Sequence, residues 1–192
     1  MMKHFIFLFL VLISCSKAES QQLNTLNLPQ AKVSEIKNYI KGKEYNQELA
    51  VFINFKIPSG KYRYFIYNLK KNTIVQQAVV SHGSGSVIPE SNVLKFSNVE
   101  GSYQSSLGKY AIGESYVGKF GKAYRLKGLD SSNSNAMQRA IVLHSYGCIP
   151  DVESQTPVCL SLGCPMLSAN AFKETSKYLD KSEKPIILYA FY

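Results

Sequence analysis

One imidazole and three thiols fall within a short stretch of this chain. His144 ends the apolar run AIVLH (140–144), and Cys148, Cys159 and Cys164 follow it, the last inside SLGCP (161–165). Three chemistries fit such a set. The four side chains could hold zinc as Cys₃His, but their separations of 4, 11 and 5 residues include no tight Cys-x₂-Cys knuckle. A disulfide could join Cys148 to Cys159 across the segment 149–158, which carries Pro150 and Pro157, and would leave Cys164 free. Closing that loop would stabilise the fold by something on the order of 2–3 kcal/mol. Lastly, Cys164 could be a nucleophile and His144 its base. A thiol is mostly protonated at neutral pH and needs such a partner to become a thiolate. Gly163 permits a tight turn whose N–H groups could hold an oxyanion, and the backbone of Ser145 could fix the imidazole tautomer. A core histidine and an inert buried thiol account for the same residues, so catalysis and a structural role stand equally open on these residues alone.

The elements that must position these groups read mostly as strands. AKVSEIKNYIKGKEYN puts Val33, Ile36 and Ile40 on one face and predicts a helix over about 31–45. ELAVFINF, KYRYFIYNL and TIVQQAVVSH then alternate or run apolar, with turns at PSG (58–60) and KKN (70–72), and read as an antiparallel meander. HGSGSVIPESN is a long Gly/Ser/Pro loop with the flexibility to line a site. LGKYAIGESYV and AYRLKGL supply further strands, and RAIVLHS reads as a buried central one. Ser168 can N-cap a helix over ANAFKETSKYL, and KPIILYAFY is a final strand. Many short strands with one or two short helices predict a mainly β fold of the sandwich or barrel kind. A length of 192 residues without internal repeats predicts one folded body.

Composition narrows the setting. Apolar residues make up 45% and charged residues 18%, which describes a globular chain. The net charge of +9 is scattered singly or in short pairs such as Lys70-Lys71. No basic helix, zinc-finger spacing or RNA-binding aromatic signature accompanies it, so no nucleic-acid partner is expected. The start of the chain is a processing signal: Lys3, then the apolar run Phe5 to Ile13, too short to span a bilayer as a helix. Leu12-Ile13-Ser14-Cys15 resembles a bacterial lipobox, in which the Cys is lipidated and becomes the mature N-terminus. The alternative is an ordinary signal peptide cut after Ala18. Residues 1–14 are therefore expected to be removed, 15–46 to form a tether and helix, and 47–192 to form the folded domain. The protein is expected in the cell envelope, either secreted or anchored by lipid on Cys15 and facing the periplasm, with the outer membrane favoured by Ser16.

At His144 and Ser161-Leu162-Gly163-Cys164-Pro165 the sequence resembles the L,D-transpeptidase catalytic domain, in particular its variant branch of murein L,D-transpeptidase-like proteins. SHGSGS (81–86), KFSNVEGSYQSSLGKYAIGESYVGKFG (95–121), YRLKGLD (124–130) and NSNAMQRAIVLH (133–144) extend the resemblance in order, over roughly residues 47–192. The resemblance implies an L,D-transpeptidase-like mixed β-sandwich and acyl transfer on peptidoglycan stem peptides. Cys164 would be the nucleophile and His144 the general base. Backbone N–H groups around Leu162, Gly163 and Ser145 would hold the oxyanion. The product would be a 3→3 cross-link, or with water an L,D-carboxypeptidase product. No metal or organic cofactor is implied, and a monomer is expected. His82, Ser161, Ser106 and Tyr110 would line the substrate site, although a local strand-end hydrogen bond explains His82 as well, and a core position Tyr110. Three positions depart from the pattern: Leu162 replaces a His or aromatic, Ser145 a frequent Gly, and Leu160 an Arg that would bind a substrate carboxylate. Leu160 and Leu162 motivate a second reading, a wall-binding envelope lipoprotein that keeps the fold and has lost the chemistry.

Overall fold

The computed structural model describes residues 27–192. The leader, the lipobox at Cys15 and most of the tether lie outside the described residues. Eight strands form one mixed sheet: β1 (Leu49–Asn54), β2 (Tyr62–Asn68), β3 (Thr73–Val79), β4 (Gly108–Gly118), β5 (Gly121–Gly128), β6 (Val142–Ser145), β7 (Met166–Leu167) and β8 (Ile187–Phe191). Their order across the sheet is β3-β2-β1-β8-β4-β5-β6-β7. The β1–β8 and β6–β7 pairs are parallel and the others antiparallel. Two helices, α1 (Gln30–Ile40) and α2 (Ala169–Leu179), accompany it.

Alternation along the strands explains why both faces are covered. Val51, Ile53, Tyr64, Ile66, Ile112 and Leu188 point to one side, where they pack with Leu143 and with Phe172 and Leu179 of α2. Phe52, Phe65, Tyr67, Ile187 and Tyr189 point to the other side and meet Val33, Ile36 and Ile40 of α1. A strand buried on both faces reads as a continuous apolar run, as LAVFIN and ILYAF do. The expected layers are thus one strongly curved sheet with a core on each side. Its ends approach each other. Beyond β3, Ser81 N donates to Met166 O of β7 at 3.1 Å, and Ser161 N donates to His82 O at 2.9 Å. The chain that leaves β3 therefore lies against the chain that enters β7.

Three local expectations are corrected. α1 ends at Ile40, short of residue 45, because the apolar period ends there and Gly42 turns the chain at φ +71°. RAIVLHS is not a central strand: only Val142–Ser145 pairs, next to the two-residue β7 at the end of the sheet order. Ala140, at φ +52°, turns the chain just before it. The Gly/Ser loop after His82 is pinned in place, with Ser84–Ser86 forming a 3₁₀ turn and Ser84 N bonded to Ser161 O at 2.7 Å. Side chains at Gly83 and Gly85 would collide with the backbone of Tyr103 and Ser102, so glycine there permits two chain segments to touch.

Candidate active site

β6 carries His144 and β7 follows Cys164, so one strand pair places both. His144 lies opposite Met166, and Cys164 comes two residues before Met166, beside Val142. Val142 N–H donates to the Cys164 sulfur at 3.4 Å, and the thiol donates to Ala140 O at 3.8 Å. No hydrogen bond joins the thiol to the imidazole. Each group is held by backbone, the thiol by Ala140 and Val142 and the imidazole by Ser145.

The carbonyl of Ser145 lies 3.0 Å from His144 Nδ1. A carbonyl only accepts, so Nδ1 carries the proton and Nε2 presents its lone pair. The ring stacks on Phe120, with centroids 4.9 Å apart, and meets Tyr146 edge-on. Burial lowers the His144 pKa, and the Ser145 bond partly offsets this. For Cys164, burial raises the pKa, opposed by the Val142 N–H and by the positive charge of Arg139. At neutral pH the resting pair is therefore a thiol and a neutral imidazole, the state in which a base can take the proton as substrate arrives.

Serine hydroxyls fasten the turn that presents the thiol. Ser161 Oγ accepts from Gly163 N at 3.1 Å, Ser105 Oγ donates to Gly163 O at 3.3 Å, and Ser81 Oγ donates to Cys164 O at 3.3 Å. Gly163 has φ +119°, and a Cβ there would lie 3.0 Å from Gln104 O and 3.1 Å from Ile141 Cδ1. Both the conformation and the space require glycine. Gly163 N–H is taken by Ser161, so it does not serve as an oxyanion donor in this arrangement. The N–H groups of Leu162 and Cys164 have no acceptor among the described residues.

The residues expected to line the substrate site lie beneath the surface. His82, Ser161, Ser106 and Tyr110 are all buried. Ser161 supports the Gly163 turn, Ser106 bonds Tyr110 Oη at 2.7 Å, and Tyr110 sits in the core. His82 faces Arg63, whose Nη2 lies 2.8 Å from His82 Nδ1. Guanidinium only donates, so the His82 proton is on Nε2, a buried N–H without a partner. Ser106 and Tyr110 also line a small cavity together with Gly163 and Pro165. The exposed side chains near it are Leu162, Leu160, Phe120 and Tyr146.

Cys148 and Cys159 are joined as a disulfide, and Cys164 is a free thiol among the described residues. The Cys₃His zinc alternative loses two of its thiolates to that bond. No group of three or more His, Cys, Asp or Glu side chains is placed to hold a metal among the described residues. Sequence reasoning missed Phe120, Ser81 and Arg139. Arg139 and Ser81 sit inside segments singled out for resemblance, but nothing in their spacing marks a role. Phe120 reaches His144 only because the β4–β5 hairpin projects beyond the β8 pairing, which ends at Ala111.

Comparison with known proteins gives the family. A profile of the L,D-transpeptidase catalytic domain matches residues 19–190. Among solved structures, the helical cell shape determining protein Pgp2 (K307A mutant) from Campylobacter jejuni is similar at 14% identity and TM-score 0.50, over 74% of this chain and 46% of that one. An L,D-transpeptidase from Xylanimonas cellulosilytica is similar at 12% identity and TM-score 0.40, over 75% and 60%. One from Mycobacterium smegmatis is similar at 10% identity and TM-score 0.42, over 76% and 59%. The chain thus spans between 46% and 60% of the length of these structures. No curated protein matches.

Proposed function

The chain belongs to the L,D-transpeptidase catalytic-domain family, and on that premise we propose that it is a cysteine acyltransferase of peptidoglycan stem peptides. His144 Nε2 takes the Cys164 proton, and the thiolate attacks the carbonyl carbon of the third stem residue. The N–H groups of Leu162 and Cys164 hold the oxyanion. Collapse breaks the C–N bond, and the terminal D-Ala leaves with the proton from His144, which leaves a thioester. A side-chain amine of a second stem then attacks the thioester and gives up its proton through His144, forming a 3→3 cross-link. Water in place of the amine gives L,D-carboxypeptidase activity. We place the enzyme in the cell envelope as a monomer, held to the membrane by lipid on Cys15.

The observation that carries this reading is the β6–β7 pairing, which sets a free thiol beside a strand whose histidine has its Nδ1 proton fixed on Ser145 O. Incubation with a carbapenem followed by intact mass tests it. A covalent adduct that disappears in Cys164→Ala is expected. Absence of any adduct, together with no turnover of tetrapeptide muropeptides, would refute it. One observation favours the second reading, a wall-binding protein without turnover: the thiol is bonded to Ala140 O and Val142 N, not to the imidazole. Muropeptide binding without an adduct would select that reading.

A further inference from the structure

The positive charge of Arg139 acts on the Cys164 thiol and opposes the effect of its burial. It stands in the turn that leads into β6, one residue before Ala140. Its Nη1 donates to Ser97 O at 2.8 Å and to Ser106 Oγ at 3.2 Å, and its Nη2 donates to Gln104 O. Every one of these acceptors is neutral. No carboxylate forms an ion pair with it among the described residues. The nearby acid Glu100 reaches Gln138 instead, at 2.9 Å. A Cβ on Gly163 would lie 3.3 Å from Arg139 Nη2, so the guanidinium lies against the turn that presents Cys164. The guanidinium is held in place by three bonds to neutral acceptors, so its charge beside the thiol is left uncompensated by any carboxylate.

We infer that Arg139 is a positioning residue of the reaction: it ties the segment 97–106 beneath the Gly163 turn and sets an uncompensated positive charge beside Cys164. Three residues that precede His144 then serve the sulfur in turn. Arg139 supplies charge, Ala140 accepts the S–H, and Val142 donates to sulfur. Thiolate forms as the proton leaves for His144, and the field of Arg139 favours that charge and the oxyanion that follows it. The other titratable groups around the site are His144 on β6, Tyr146 edge-on to its ring, and Tyr110 on β4, which reaches Arg139 through Ser106. Burial raises Tyr110 to about 12, and Asp130, the carboxylate beyond it, is paired with Lys109. The inference rests on Cys164 being the reactive thiol, and its test needs no substrate, so it can fail separately from the transpeptidase reading.

Iodoacetamide alkylation of the Cys164 peptide, followed by mass spectrometry between pH 6 and 10 in the full chain, is the experiment. Arg139→Gln should move the inflection up by about one pH unit and slow alkylation at pH 7 roughly ten-fold. Arg139→Lys, which keeps charge but loses the fork, should keep the inflection within a few tenths of a unit while melting at a lower temperature. A folded Arg139→Gln with the wild-type inflection would overturn the inference. So would an Arg139→Lys inflection displaced as far as the Gln variant's, and this second outcome decides the matter if Arg139→Gln does not fold.

Discussion

Replacing His82 by Gln should remove most of the dependence of stability on pH between about 6.5 and 4.5. The ring is buried beside Arg63, which is itself buried and donates to it, and the pair has no carboxylate neighbour among the described ion pairs. Burial first, and then the Arg63 charge, lower the His82 pKa to about 4, against an ordinary value of 6.5. In the unfolded chain His82 binds a proton as pH falls through 6.5, whereas in the folded protein it stays neutral to about 4. The unfolded state therefore holds more protons in this window, and stability falls as pH falls. The contribution is fully present above 6.5 and amounts to a loss of about 2.5 kcal/mol by pH 4.5. His144, also lowered by burial, acts with the same sign. The carboxylates held low, Glu35, Glu48, Asp151 and Asp180, titrate mostly below this window. Urea unfolding of wild type and His82→Gln at pH 7.5, 6.5, 5.5 and 4.5 measures the effect. The cost of the substitution itself cancels in the difference between pH values. A wild-type minus variant difference that stays flat within about 0.5 kcal/mol from pH 7.5 to 4.5 would refute the reasoning.

Other substitutions separate stability from chemistry. The double variant Cys148→Ser, Cys159→Ser should lose about 2–3 kcal/mol in denaturant unfolding. Its Cys164 alkylation rate should stay within about two-fold of wild type, because Ser154 N still bonds Gly60 O and Val158 N still bonds Ser59 Oγ. Gly163→Ala should slow carbapenem adduct formation about a hundred-fold through a displaced sulfur, measured on protein that circular dichroism shows to be folded. The acid limb of kcat/KM should lie below pH 6.5, since activity requires neutral His144 and its pKa is lowered by burial. Phe120→Ala, which uncovers the ring, should move that limb back toward 6.5.

How much of this could be read in the sequence follows from where the signal is local. The α2 helix with its Ser168 cap was legible because both period and cap lie within a dozen residues, and Ser168 Oγ does accept from Ala171 N. The β1–β2–β3 meander was legible from alternation and turns. The parallel β1–β8 pairing was not, because it joins Ala50 to Ile187 across most of the chain and no local pattern encodes a partner. At the site, His144 and Cys164 were visible as residue types. The burial of His82 was not, because it depends on Arg63, an arginine placed at an apolar strand position where periodicity alone predicts nothing charged. The Ser161 hydroxyl that bonds the Gly163 N–H was not visible for a related reason: it is a side-chain choice that sequence leaves open.

The geometry of the pair has a consequence for how it can be dissected. His144 is fixed by Ser145 O, Phe120 and Tyr146, and none of these touches the sulfur. Cys164 is fixed by Val142 N, Ala140 O and, through its carbonyl, Ser81, and none of these is the imidazole. Neither side chain positions the other; the β6–β7 ladder positions both. In a site where nucleophile and base hold each other, removing one lets the partner drift, and single substitutions overstate each role. Here His144→Gln leaves the sulfur in place, so its effect on Cys164 alkylation reports loss of the base alone. The strand pair, with the serine hydroxyls of the Gly163 turn behind it, is therefore the part of the molecule that sets the distance over which the proton must move.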